Sequence, residues 1–433
     1  MERKHAGDYT GVVVDTILPR GAVERFVFWG ILAEFAIYFA GLGPLRIPLT
    51  VWPVVLMSGL VWLRRGERVP WLTALWFACM SAIFVQQVLM LRWYGVGGWS
   101  LPNWFLCFGV AALVPLAGLY VRPEVIYSAA GLLGIQTLAY CTVATVAVLA
   151  GFDPHYQSFV PRVDVLEGAY FGVGLTQARV FSEGELRLVA FSPYPTSAGA
   201  IACFFALMTL GNKNPWVKWL GLAGWIALEI LAKARTGALC MAVAIPMFYL
   251  LSFRRRHYFL VAGVAILALA AFAGPAMRGA DRAQDALREL RASSSMDRTN
   301  LRRIALDGWL YGERPVLGSG TSVPGGAVVS REPIGTHDSL AAGLYLRGAL
   351  GLCLTLLPIV VSLVFGCFGG RTPAHRMVAA GAVVLLLYTN SQTLAEVFMF
   401  IWPFFVLIGA LGRESTTTGT QPSPAPCTPS ATL

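Results

Sequence analysis

The chain carries little charge for its length and almost no lysine. Asp, Glu, Lys and Arg together make up 13% of its 433 residues, against about 25% in ordinary soluble domains. A deficit of that size excludes a chain that meets water over most of its surface. Several short motifs are missing too. There is no glycine-rich phosphate loop, no zinc-ligand spacing and no RNA-binding motif, so nucleotide, zinc and nucleic-acid classes have no support. The net charge of +10 is then mostly topology and not a nucleic-acid footprint. The eight cysteines fall at neither metal nor redox spacing and read as small core residues. No internal repeat is visible.

What the chain has instead is long apolar runs. Hydrophobic residues reach 56% and mean hydropathy is +0.64. Twelve stretches approach the length of a spanning helix, about 20 residues: 23–41, 47–63, 70–90, 102–121, 124–151, 194–210, 216–232, 236–252, 258–275, 338–366, 377–393 and 395–411. They are too long and uniform for barrel strands, and a helix satisfies its own backbone in hydrocarbon. The expected fold is an all-α polytopic membrane protein with about 12 transmembrane helices. With the N-terminus in the cytoplasm, Arg64, Arg65, Arg68, Arg122, Lys213, Lys218, Arg254, Arg255, Arg256, Arg371, Arg376 and Arg413 all fall in short inner loops, as the positive-inside rule prefers. Both ends are then cytoplasmic. The first stretch contains Glu34 and lacks an A-x-A cleavage site, so it reads as mature protein.

The expected organisation is helices one to nine over 1–275 with an outer loop at about 152–193, a large outer loop over 276–336 with amphipathic helices, helices ten to twelve over 337–412, and a disordered Ser/Thr/Pro-rich cytoplasmic tail over 413–433.

The loop over 276–336 holds nine arginines and no lysine. In "DRAQDALREL" the acids Asp281, Asp285 and Glu289 can pair with neighbouring arginines. In "SMDRTNLRRIALDGWLYG", Ser295 or Asp297 can cap a helix whose buried stripe is Leu301, Ile304, Ala305 and Gly308 or Trp309. Arg298 and Arg302 then stand one turn apart beside that stripe, with few acids near. Guanidinium forks suit phosphate oxygens. Two readings are open: a diphosphate clamp, or anchoring to lipid headgroups.

His337 and Asp338 precede the tenth stretch. An imidazole there is either an interfacial cap or a proton acceptor suited to neutral pH. Asp338 is costly to bury and belongs at the rim or beside an arginine. Lys233 and Arg235 occupy a very short outer junction. Lys233 reads as a snorkelling side chain; for Arg235 snorkelling and ligand binding are both open, and Thr236 can cap the following helix. Arg187 precedes a proline-broken return to the membrane, while Arg162 and Arg179 read as paired surface residues.

These stretches resemble motifs of the O-antigen ligase and polymerase superfamily of bacterial inner-membrane glycosyltransferases. "HDSLAAGLYLRGALG" is similar to the family's histidine segment with two glycines, here Gly348 and Gly351. "DRTN…W…RPVLGSG" is similar to its Arg…Trp…Pro-Leu-Leu-Gly-x-Gly segment, matching Arg298, Trp309, Pro315, Leu317, Gly318 and Gly320. "ARTGAL" and "LRLVAFSPYPTSAG" resemble the spans opened by Arg235 and Arg187. Asp338 replaces the usual Asn or Ser, Arg347 stands where an acid is common, and Ala190 and Thr196 replace Gly and Asn.

The resemblance implies a GT-C-like fold in the inner membrane with the active site facing the periplasm. The donor would be a polysaccharide on undecaprenyl diphosphate, and the acceptor lipid A–core oligosaccharide (ligase) or another lipid-linked repeat (polymerase). The loop architecture favours the ligase. It implies His337 as general base and Arg187, Arg235, Arg298, Arg302 and Arg303 on the diphosphate. No metal and no cofactor are expected, because no pair of outer acids has ligand-like spacing, and a single base implies inversion. A protein-glycosylating ligase stays open. A lipid-linked oligosaccharide transporter would instead use ionisable groups inside the spans, where Glu34, Glu229, Glu396 and the Gln86–Gln87 pair lie; a non-catalytic assembly protein has less support.

Overall fold

The computed structural model describes residues 18–95, 105–152, 154–160, 172–176, 187–192, 194–253, 292–320, 339–389 and 394–417, with backbone alone over 292–299, at Glu396 and over 414–417. Every expected apolar stretch except 258–275, which lies outside the described residues, carries helix.

The helices are α1 (Ala22–Leu32), α2 (Glu34–Phe39), α3 (Arg46–Arg65), α4 (Trp71–Tyr94), α5 (Phe108–Leu113), α6 (Pro123–Leu149), α7 (Pro195–Leu210), α8 (Pro215–Ala232), α9 (Arg235–Leu250), α10 (Ala292–Leu310), α11 (Ser339–Phe368), α12 (Pro373–Tyr388), α13 (Leu394–Phe400) and α14 (Trp402–Thr417). Four helical segments are long and apolar enough to cross a membrane: Gly43–Arg65, Trp71–Tyr94, Pro123–Leu149 and Ser339–Phe368. In their most apolar windows no more than 39% is buried inside the protein. Leu56, Leu63, Val143 and Leu149 are more than 60% exposed. Such a belt suits hydrocarbon and not water. The protein is a multi-pass helical membrane protein in contact with lipid.

The centre of the bundle is α7. Every residue of it except Thr196 is buried, as expected of a helix that is apolar all round. It packs on α6, α8, α9 and α12. Beside it, α6 and α8 touch backbone to backbone. A Cβ on Gly224 would strike the carbonyl of Gly134, and one on Gly134 would reach the carbonyl of Gly221 at 2.5 Å. Small residues permit this close approach in membranes.

Four of the described stretches are not straight spans: the tenth breaks at Gly348, and three others break elsewhere. The first breaks at Ala33 into α1 and α2. Glu34, at that break, turns inward to Arg46, Oε2 to Nε at 2.6 Å. In the stretch over 102–121 the described residues are helical at 105–106, turn at Cys107, and continue as α5 and a 3-10 turn over Val114–Tyr120; Pro115 in that turn lacks a donor. The last divides at Ile401, between α13 and α14, where Pro403 is tolerated only in the first turn of the new helix. A two-stranded sheet, absent from the expected fold, pairs His155–Gln157 with Gly172–Gly174 in antiparallel register. Tyr38 Oη secures it to α2 by donating to Gly174 O at 2.8 Å.

Candidate functional site

One end of the bundle gathers the elements that carry the expected site residues. Arg187 is half-buried. The next residue, Leu188, donates its N–H to Leu231 O at 3.1 Å, and Val189 donates to Leu175 O at 3.2 Å. Leu231 lies in the last turn of α8, just before the corner that leads to α9. At that corner Lys233 adopts φ 53, the one non-glycine left-handed residue among those described. Arg235 follows, exposed, as the first residue of α9. The N-cap is Ala234 and no side chain caps it, so Thr236 lies inside the first turn and is not the cap. Backbone pairing thus brings the Arg187 segment to the corner that presents Arg235.

Beneath this corner sits Glu229, a buried carboxylate. It faces the Ala238 amide. A Cβ on Gly237 would come within 2.5 Å of its Oε1, and one on Gly199 within 3.1 Å. Tyr388, at the end of α12, is close enough for its hydroxyl to feel the Glu229 charge. Thr389 O in turn accepts the N–H of Ser339 at 2.8 Å, and Ser339 Oγ accepts from Leu394 N at 2.7 Å. The starts of α9 and α11 therefore meet the end of α12 on the same side of the bundle. His337 and Asp338 precede Ser339 in sequence and lie outside the described residues.

The arginine helix docks on α11 through part of the expected stripe, with Leu301 and Ala305 buried and Ile304 and Trp309 half-buried. Leu301 and Ala305 are buried against Ala341, with Ile304, Leu306 and Tyr345 around them. Gly308 faces the Tyr345 ring, where a Cβ would come within 2.8 Å. The helix starts at Ala292, so Ser295 and Asp297 lie within it and do not cap it. Arg302 and Arg303 are both exposed. Arg303 Nε lies 3.7 Å from Asp307 one turn on, an acid the sequence reading had not assigned to it. Arg298 is one turn before Arg302; its backbone is helical.

The segment after this helix does something that motif reading did not anticipate. Helix α11 is broken at Gly348, with φ 65 and ψ −173, a region open essentially to glycine alone. The break strands backbone groups inside the bundle, and the loop Pro315–Gly320 takes them up. Ala349 N donates to Pro315 O at 2.9 Å, and Leu350 N to Val316 O at 3.1 Å. In return Ser319 N donates to Tyr345 O at 2.7 Å, and Gly320 N to Leu346 O at 3.0 Å. The two chains approach so closely that a Cβ on Gly318 would lie 2.5 Å from Arg347 N. Gln86, buried in α4, donates its Nε2 to Arg347 O at 2.6 Å and to Leu317 O at 3.0 Å. Trp309 Nε1 donates to Pro315 O at 2.7 Å, and the Arg314 guanidinium lies over the Tyr94 ring at 3.6 Å. The Pro-x-Leu-Gly-x-Gly run and the glycine pair of α11 are thus two halves of one interlocked joint.

A second buried polar joint lies at the α1–α2 break. Besides Glu34, Arg46 donates Nη1 to Phe191 O at 3.1 Å and stacks over Phe400 at 4.5 Å. Trp402 Nε1 reaches Glu34 Oε1 at 3.4 Å. It holds together helix breaks at opposite ends of the sequence.

The fold and this clustering define the chain as a helical, multi-pass membrane protein with a polar, arginine-bearing end. It matches no protein-family model, and no characterised protein is recognisably similar to it in sequence.

Proposed function

We propose that the chain is an O-antigen ligase of the inner membrane, with twelve spans in a GT-C-like arrangement, both termini in the cytoplasm and the site facing the periplasm. It would move a polysaccharide from undecaprenyl diphosphate to a sugar hydroxyl of lipid A–core oligosaccharide. His337 takes the proton of the attacking hydroxyl. The oxygen attacks the anomeric carbon in line as the bond to the diphosphate breaks, inverting the centre. Arg187, Arg235, Arg298, Arg302 and Arg303 face the charge that grows on the leaving diphosphate. No metal is required in this scheme, since guanidinium groups supply the countercharge.

One observation supports the reading: the start of α11, which follows His337, meets the end of α12 through Ser339 and Thr389, and the arginine helix docks on the first turns of α11. A polymerase using the same donor fits that geometry equally. The helix breaks, with Glu34 and Arg46 at one of them, favour a lipid-linked oligosaccharide transporter as the second reading, because discontinuous helices and buried ionisable groups are the parts transporters use.

Reconstitution of the purified chain with lipid-linked donor and lipid A–core separates the three. Polymer attached to lipid A–core without nucleotide or metal supports the ligase. Growth of the lipid-linked chain supports the polymerase. Movement of unchanged donor across the bilayer supports transport and ends the transferase reading.

A further inference from the structure

Arg347 is a buried cation with no carboxylate beside it among the described residues. It precedes the break at Gly348 and is 8% exposed. Among the described residues no carboxylate pairs with it, and its Nε has no hydrogen-bond partner. The Phe108 ring lies 4.9 Å from its Cζ. A ring face attracts a cation but leaves its charge intact.

The direction of the side chain follows from its nearest helix neighbour. A Cβ added to Gly343, one turn toward the start of α11, would lie 3.6 Å from Arg347 Nη2. The guanidinium therefore runs back along the helix, over Gly343, toward the end where α11 begins. That is the direction a helical side chain takes. The backbone is fixed independently: Gln86 holds Arg347 O at 2.6 Å, and the Pro315–Gly320 loop grips the residues on either side. The result is a guanidinium on a rigid mount, stripped of water, aimed at the outer end of the bundle.

A charge buried inside a membrane bundle is costly unless something neutralises it. Nothing described does so. A planar fork of donors suits the oxygens of a phosphate group better than any other common anion.

We propose that Arg347 is the floor of an anion site that receives a phosphate group entering from the outer end of α11. On the transferase reading, on which the identity of the carrier rests, this is a phosphate of the lipid-linked donor. Arg347 then holds the group from below while the arginines of α10 and Arg235 lie at the rim. This assigns a binding role to a position where the resembling family commonly has an acid.

The test uses the full-length protein in detergent, the variants Arg347→Met and Arg347→Lys, and geranylgeranyl diphosphate, inorganic pyrophosphate and phosphatidylglycerol as probes. Two results are expected together. Without probe, Arg347→Met raises Tm, because it removes an uncompensated charge while filling the same space. With diphosphate, wild type gains Tm and binds, whereas Arg347→Met binds about 10- to 100-fold more weakly, the loss expected for charged hydrogen bonds; Arg347→Lys falls between. A fall in Tm for unliganded Arg347→Met would make the residue a structural keystone and overturn the proposal. Undiminished probe binding by that variant, or no binding of any probe by wild type, would overturn it as well. A response to phosphatidylglycerol alone keeps the anion site and assigns it a membrane-lipid headgroup; one to pyrophosphate as strong as to the prenyl compound assigns a free phosphate. Because binding is read without turnover, a wild type that binds through Arg347 but transfers no sugar ends the transferase reading alone.

Discussion

Gln86 holds the carbonyl of Arg347 at 2.6 Å from the middle of a different helix, and the same nitrogen reaches Leu317 O at 3.0 Å. One amide thus joins α4, the break in α11 and the loop that fills the break. Replacing it with leucine leaves two carbonyls at this joint without that donor. At about 1–3 kcal/mol for each buried unsatisfied group, Gln86→Leu is expected to lower Tm in detergent and to expose the Pro315–Gly320 loop to protease. A melting curve and a cleavage pattern like wild type would show that the clamp contributes nothing.

Gly348 is the hinge of that joint. A side chain there meets the Val316 carbonyl as well as a strained backbone. Gly348→Ala is therefore expected to cost about 1–3 kcal/mol from backbone strain alone, with the added collision pushing the loop out. Gly59, around which a Cβ would find nothing within 4 Å, is the control. Equal Tm values for the two alanine variants would remove the requirement for glycine at the break.

The Glu34–Arg46 pair is buried on both sides, at 0% and 6% side-chain exposure. Removing one partner strands a charge, so Glu34→Gln or Arg46→Met should each destabilise by about 3–5 kcal/mol. The double variant should recover much of that loss. Single variants that melt like wild type would mean that the pair is not held as described.

For the proposed chemistry, His337→Ala is expected to abolish transfer while expression and donor binding persist; turnover at the wild-type rate would remove the general base. Arg298→Lys should reduce transfer more than Arg288→Lys, because Arg288 is one of the arginines expected to pair with Asp281, Asp285 and Glu289, only Arg298 is assigned to the diphosphate, and a lysine cannot reproduce a bidentate fork. Parallel initial-rate measurements on the two variants decide this, and equal rates would move the clamp elsewhere.

The helical membrane character was plain in composition, because apolar runs of about 20 residues admit few other structures. The stripe Leu301, Ile304 and Ala305 was equally plain from its spacing. The breaks were harder to see. Glu34 announced one of them, but its partner Arg46 is set by tertiary packing and has no local signature. Gly348 and Gly318 were visible as motif glycines, yet nothing in their spacing says that they face each other. Gln86 was noticed only as a polar residue within a span, and Lys233 gave no hint of a left-handed corner, since glycine or asparagine is the usual choice there. Arg347 drew attention solely as a departure from the resembling family.

Several helices of the bundle are shorter than the hydrocarbon is thick. α7, α9 and α12 have 16 residues each, or about 24 Å at 1.5 Å per residue, against about 30 Å of hydrocarbon. Helix α6 runs to 27 residues, and α11 covers 30 across its break at Gly348. A helix too short to cross the hydrocarbon alone can still lie within it when, like α7, it is surrounded by protein on nearly every side.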